Sequence, residues 1–287
     1  MYKLILTFLV LFLISCSSND TIEYDLEQSF YENNNYKDYE LFDRANKFIV
    51  SKQFDLALIE LDKIEVLYPT SPYANRGMLV NAYIHFLKKD YEKTRALAEN
   101  YKKYYPGGNN MAYANYLEAM TYYVLIKKPN YSQTNSYKAL DKFNFILNAY
   151  PNSDYEIDII TKIQILQNNL AANKLNIAKF YLNKKNSNAA LLYLLDNFKN
   201  HNNTNSIQET LYHITKIYKN LEEIELSKKY AAILAYNFPD SHWYEKSFNL
   251  INDIEIKKNK NDWFNRFNPI KIILRDITED VEIKKID

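Results

Sequence analysis

A six-residue phrase of aromatic, proline, any residue, serine, any residue and aromatic occurs three times in this chain. The copies are Tyr68-Pro69-Thr70-Ser71-Pro72-Tyr73, Tyr150-Pro151-Asn152-Ser153-Asp154-Tyr155 and Phe238-Pro239-Asp240-Ser241-His242-Trp243, with Tyr105-Pro106-Gly107-Gly108 a looser fourth. Proline lacks the amide proton that would continue a helix, so it ends one. Serine two residues later offers the side-chain oxygen that opens the next. From Pro69 to Pro106 is 37 residues, close to the period of about 34 residues of tetratricopeptide repeats. Punctuation of this kind predicts helices laid down in pairs.

A finer pattern runs inside each pair. Ala45, Phe48, Ala57 and Leu61 stand at the spacing of small, aromatic, small and apolar residues that lets two helices approach to about 8–10 Å. Ala178, Tyr181, Ala190 and Leu194 repeat it, although Asn202 takes the place of the closing proline, and Thr215, Tyr218, Ser227 and Ala231 repeat it loosely. In a second unit Ala82 fits, with His85 and Thr94 at the aromatic and small positions. In a third, Ala119 and Tyr122 pair with Ala139 and Phe143 across a longer gap, which assigns surplus residues to a loop between Lys127 and Ser136. The apolar spacing of Ile157, Ile160, Ile163, Leu166, Leu170 and Ile177 predicts one long helix over 154–182. The fold class expected is therefore all-α: an α-solenoid of about five tetratricopeptide-like helix-turn-helix units, near 38–69, 73–106, 110–151, 154–202 and 206–239. A capping helix follows near 241–258, closing a solenoid body over 38–258, and residues 259–287 form a charged, aromatic tail.

Composition narrows function. Only three glycines occur among 287 residues, which excludes spaced-glycine phosphate loops and argues against an all-β fold. One cysteine excludes an internal disulfide and a thiolate metal cluster. A net charge of +1 gives no reason to expect nucleic acid as a partner. His85, His201, His213 and His242 have no second histidine or cysteine at metal-ligand spacing, and no Gly-x-Ser-x-Gly elbow exists. No cofactor and no catalytic centre are expected.

The amino terminus indicates an address. Met1-Tyr2-Lys3 precedes the apolar run Leu4 to Ile14, about 16 Å of helix and too short to span a bilayer. The run ends at Leu13-Ile14-Ser15-Cys16, which resembles the bacterial lipobox. The resemblance implies a signal peptide over 1–15, removed before Cys16 is acylated, and Ser17 after it favours the periplasmic face of the outer membrane. Several acyl chains hold a protein durably where one does not. Residues 16–37 read as a lipidated flexible tether with a reach of about 25 Å.

In repeats of this kind the first helix of each pair lines the binding wall. Its positions here are Tyr39, Phe42, Asn46 and Ile49, then Arg76, Leu79, Tyr83 and Phe86, then Tyr113, Tyr116, Met120 and Tyr123. The fourth and fifth units bring Lys179 and then Glu209, Tyr212, Lys216 and Lys219. The amino-terminal wall is aromatic and the carboxy-terminal one more basic. Two readings of the rings stay open: anchors for a client peptide, since aromatic residues dominate hot spots, or packing between repeats. The tail divides likewise between a cap over the open end and, with Trp263, Phe264 and Phe267 beside Lys179, Lys216 and Lys219, a partner-docking surface.

Five such units behind a lipobox, with the insertion in the third and the long first helix in the fourth, resemble the BamD family of outer-membrane β-barrel assembly lipoproteins over residues 38–250. The resemblance implies a non-catalytic solenoid docking on the POTRA domains of a BamA-type barrel subunit. It also implies engagement of a BamE-type lipoprotein and receipt of unfolded outer-membrane protein clients. A pilotin-like lipoprotein escorting secretin subunits uses similar repeats and is the alternative. A more distant class, a lipoprotein that binds sugar or peptidoglycan, would carry a compact α/β body instead.

Overall fold

The computed structural model describes residues 36–252, and among them regular structure is entirely helical. The helices are α1 (Asp38–Val50), α2 (Phe54–Leu67), α3 (Pro72–Leu87), α4 (Tyr91–Tyr104), α5 (Met111–Tyr123), α6 (Thr134–Ala149), α7 (Glu156–Asn183), α8 (Ser187–Asn200), α9 (Ile207–Asn220), α10 (Ile224–Asn237) and α11 (His242–Asn252). The described residues divide into two compact units, one ending at Thr121 and the other beginning at Tyr122. Cys16, the expected signal peptide, nearly all of the expected tether, the expected end of the capping helix and the tail with Trp263, Phe264 and Phe267 lie outside the described residues.

Pairing follows from the small residues. Ala45, Ala57, Ala82, Thr94, Ala119, Ala139, Ala178, Ala190, Thr215 and Ser227 are all fully buried. The polar ones among them satisfy their hydroxyls on nearby carbonyls: Thr94 on Asp90 at 2.8 Å, Thr215 on Leu211 at 2.9 Å and Ser227 on Thr215 at 2.9 Å. A buried hydroxyl without such a partner would cost about 1–3 kcal/mol. In the first unit Leu41, Ala45, Ala57, Leu61 and Ile64 form one core. A second core in the same unit joins Leu79, Tyr101 and Ala114. In the second unit Leu175, Ala178, Ala190, Leu194, Ile214 and Ile217 form a core. Ile207, Leu211, Leu234, Tyr244 and Phe248 form the next, in which α11 covers α9 and α10.

Turns within four of the pairs are identical. The amide of Gln53 bonds Phe48 O at 2.8 Å while Lys52 bonds Ile49 O at 3.0 Å, and the same two bonds recur at Lys89–Asp90, Lys185–Asn186 and Glu222–Glu223. This is the Schellman motif, whose left-handed position is normally glycine. Here the residues with φ of 57–64° are Lys52, Lys89, Lys185 and Glu222. So few glycines suffice because side-chain-bearing residues take the strained positions.

Turns between pairs carry the proline phrase. Tyr68, Tyr105, Tyr150, His201 and Phe238 each close a helix at φ between −124° and −139°. Proline disfavours the helical region for the residue before it, yet His201 adopts the same geometry before Asn202. Its carbonyl accepts Thr204 Oγ1 at 2.7 Å, so the fourth pair closes without a proline. Ser71 and Ser241 receive the amides of Tyr73 (3.0 Å) and Trp243 (3.1 Å). Each hydroxyl also donates to a residue 33 positions earlier, at the start of the preceding repeat: Asp38 at 2.5 Å and Gln208 at 2.6 Å. Ser153 differs. Asn152 is left-handed at φ 61° and its amide bonds Glu156 Oε2 at 2.8 Å, so the glutamate side chain takes up the amide at the head of α7.

Two boundaries shift. The long helix spans Glu156–Asn183, close to the range its apolar spacing predicts. The insertion in the third pair runs over 124–133 instead of 127–136, because α6 begins at Thr134 with Ser136 already inside it.

Candidate functional site

In the first unit the first helices α1 and α3 touch, which sets their outer residues side by side. Tyr39 and Tyr83 are 42% and 38% exposed, and Arg76 and Asn46 are exposed as well. The other predicted wall residues face neighbours. Leu79 is buried; Phe42 lies 5.3 Å from the Tyr73 ring; Phe86 lies 5.7 Å from Tyr91. Tyr113 packs against the Leu79–Tyr101–Ala114 core, and Tyr116 is half-buried. Phe42, Phe86 and Tyr113 therefore pack against neighbours, while Tyr39, Arg76 and Tyr83 remain accessible.

In the second unit Tyr123 rests on Phe143 at 6.0 Å, with Lys162 Nζ 5.3 Å above its ring. Lys179 pairs with Glu209 at 2.7 Å, and Glu209 also faces His213 Nε2 at 3.5 Å. Burial lowers the pKa of His213; Glu209 opposes the shift, and Lys179 and Lys216 reinforce it. Lys216 is exposed, whereas Lys219 donates to the Leu250 carbonyl on α11.

The second unit also holds a cluster that the sequence reading passed over. Trp243 lies 5.2 Å from Tyr212 at a tilt of 39°, and Lys246 Nζ lies 4.6 Å above the indole and 5.9 Å above Tyr212. The pair Tyr212–Trp243 repeats Phe42–Tyr73 in register, 31 residues apart in each case. The signal was present in two of the three copies: the last aromatic of the proline phrase, Tyr73 or Trp243, is the ring that meets the preceding repeat.

Among the described residues no group of side chains could hold a metal ion. No helix there is long and apolar enough to cross a membrane.

Stacked helix pairs presenting an exposed first-helix face define a helical-repeat protein of the tetratricopeptide kind, whose chemistry is binding. Comparison with known proteins makes this specific. The outer membrane lipoprotein family YfiO matches residues 34–253, and the chain belongs to that family. It is 30% identical over 215 residues to the outer membrane protein assembly factor BamD of Rickettsia prowazekii, covering 75% of this chain and 86% of the relative. The factor of the same name from Caulobacter vibrioides is 29% identical, over 67% of this chain and 63% of the relative. That of Neisseria gonorrhoeae is 26% identical, over 84% and 93%.

Proposed function

We propose that the protein is a lipid-anchored, non-catalytic subunit of the outer-membrane β-barrel assembly machinery. It docks on the POTRA domains of a BamA-type barrel subunit, engages a BamE-type lipoprotein and helps receive unfolded outer-membrane proteins for insertion. The observation that carries this reading is the family match, which spans all eleven helices of the described residues. Acylated Cys16 anchors it to the periplasmic face of the outer membrane.

Division of labour between the two units supports the finer reading. Tyr39, Arg76 and Tyr83 offer rigid aromatic and cationic contacts suited to an extended client segment. The basic second unit, with Lys216 exposed, takes the folded partner together with the tail residues Trp263, Phe264 and Phe267. Crosslinking in membranes followed by mass identification tests it: a POTRA-bearing barrel protein should be the main adduct. Recovery of a secretin instead would sink the proposal. Cys16→Ala should keep its helical circular dichroism and leave the membrane fraction when no partner is present.

A further inference from the structure

Segment 124–133, between α5 and α6, is held in an unusual way. Its backbone carbonyls are taken up by side-chain amides instead of water: Leu125 O by Asn135 at 3.2 Å, Lys127 O by Asn169 at 3.0 Å, and Pro129 O by Asn173. Gln133 Nε2 serves the carbonyls of Lys128 (3.0 Å) and Tyr131 (2.9 Å). Gln133 is itself buried and fixed by Asn169 at 2.6 Å. Two of these donors, Asn169 and Asn173, stand one turn apart on α7, so the long helix acts as a clamp for the inserted loop.

With five of its carbonyls so engaged, the loop leaves apolar side chains exposed. Val124, Leu125 and Tyr131 are all exposed, Tyr131 at 60%. Lys127 and Lys128 stand between them, both exposed. From Ala119 to Leu140 the chain has no aspartate or glutamate, although 35 occur among 287 residues. The flanking acids are Glu118, which pairs with Lys102 at 2.7 Å, and Asp141 on α6. Nearby Asp158 is bonded to Lys162. A third cation, Lys138, lies 5.3 Å above the Tyr122 ring.

We propose that segment 124–133 is a membrane-contact loop that rests on the headgroup layer of a bilayer containing anionic phospholipid. Three physical requirements meet here. Backbone groups entering a poorly hydrated layer must be bonded within the protein, and five carbonyls of this loop, with the amides of Leu125, Ile126 and Tyr131, already are. Tyrosine prefers the interface between headgroup and acyl chain, and the exposed Val124 and Leu125 gain by leaving water. Lysines without neighbouring acids gain about a fivefold preference each for an anionic surface. A protein partner adding a strand would need free backbone groups, and here five carbonyls are already engaged. The inference goes beyond acylation of Cys16 and does not require it.

The test is local, so that it is independent of how the chain is anchored. In the full chain carrying Cys16→Ser, a single cysteine is placed by Tyr131→Cys, or in a control by Asp240→Cys, and labelled with a polarity-sensitive fluorophore. Asp240 is exposed and lies in the turn between α10 and α11, at the other edge of the helix pairs. Vesicles of pure phosphatidylcholine are compared with vesicles containing one-third phosphatidylglycerol. The label at 131, and not that at 240, should shift to the blue on anionic vesicles and be quenched by lipids brominated near the headgroup. Lys127→Glu with Lys128→Glu should weaken that partition by about tenfold or more. A label at 131 that stays as hydrated as the one at 240, or that responds equally to both vesicle compositions, overturns the proposal. So does a response confined to added periplasmic protein, which would mark the loop as a protein contact. Failure of membrane anchorage by Cys16 is read separately, by flotation of the unlabelled wild-type chain.

Discussion

The first helix pair and the last two are built on one register but fill one of its positions in opposite ways. Twelve residues after the aromatic of the first helix stand Glu60 in the first pair, Tyr193 in the fourth and Tyr230 in the fifth. The tyrosines stack: Tyr181 on Tyr193 and Tyr218 on Tyr230, each at 5.7 Å between ring centres. Glu60 is buried to 4% exposure and holds two cations, Arg44 at 3.1 Å and Lys63 at 3.4 Å, with Lys63 itself 2% exposed. One helix-pair geometry therefore accepts either a ring or an ionic cluster. What differs is how a failure is felt. A ring can be trimmed by degrees, whereas a buried charge that loses its counterion cannot be accommodated.

The largest expected effect follows from that asymmetry. Glu60→Ala removes the carboxylate shared by Arg44 and Lys63 and should destabilise the first unit by about 3–5 kcal/mol, measured by denaturant unfolding. A loss below about 1 kcal/mol would mean the cluster is not electrostatically coupled. At the matching position of the fifth pair, Tyr230→Ala should cost about 2 kcal/mol. Tyr230→Phe, which keeps the ring, should cost less than about 1 kcal/mol. Equal losses for Tyr230→Phe and Tyr230→Ala would transfer the importance from ring to hydroxyl and break the contrast.

Acid sharpens the comparison within the second unit. Burial, helped by the nearby Lys174, depresses the pKa of His201 against the pull of Asp196, and burial likewise depresses that of His213. Both sit below the ordinary histidine value of about 6.5. The unfolded chain therefore binds more protons, and these residues contribute stability that is present above that pH and lost as the pH falls through it. Melting temperature should drop between pH 7 and pH 5, and His201→Gln with His213→Gln should flatten the slope. A slope unchanged in the double variant would place the acid sensitivity elsewhere.

The smallest effect concerns what the pairs share. Lys52, Lys185 and Glu222 occupy the left-handed position with side chains that disfavour it by about 1–2 kcal/mol. Glycine relieves the strain but loosens the unfolded chain. Lys52→Gly and Lys185→Gly should each stabilise by about 0.5–1 kcal/mol, and equally. Unequal gains would show that the turns are held differently in the two units.

Much of the repeat was legible because it rests on local chemistry. Proline ends a helix wherever it stands, Ser71 and Ser241 cap the next one, and buried Ala45, Ala57, Ala178 and Ala190 fall at their predicted registers. Ser153 does not cap α7, which begins only at Glu156 after Tyr155 and has no side-chain cap; the Glu156 carboxylate instead takes the amide of Asn152 in the turn before it. The aromatic wall was half legible. Spacing assigns Phe42, Tyr83 and Tyr113 to one kind of position, but Phe42 meets Tyr73 and Tyr113 meets the core, while Tyr83 stays in reach of solvent.

The sequence by itself therefore determined the number of helix pairs, their punctuation and the family to which the chain belongs, since each depends on residues a few positions apart. Tertiary structure decided which rings and charges remain available. No local pattern marks Glu60 as buried until α1 brings Arg44 beside it, and spacing marks the insertion of the third pair only as a loop until Asn169 and Asn173 bond its carbonyls. Burial and hydrogen bonding across tens of residues are set by the packing of whole helices, and a local pattern carries no record of that.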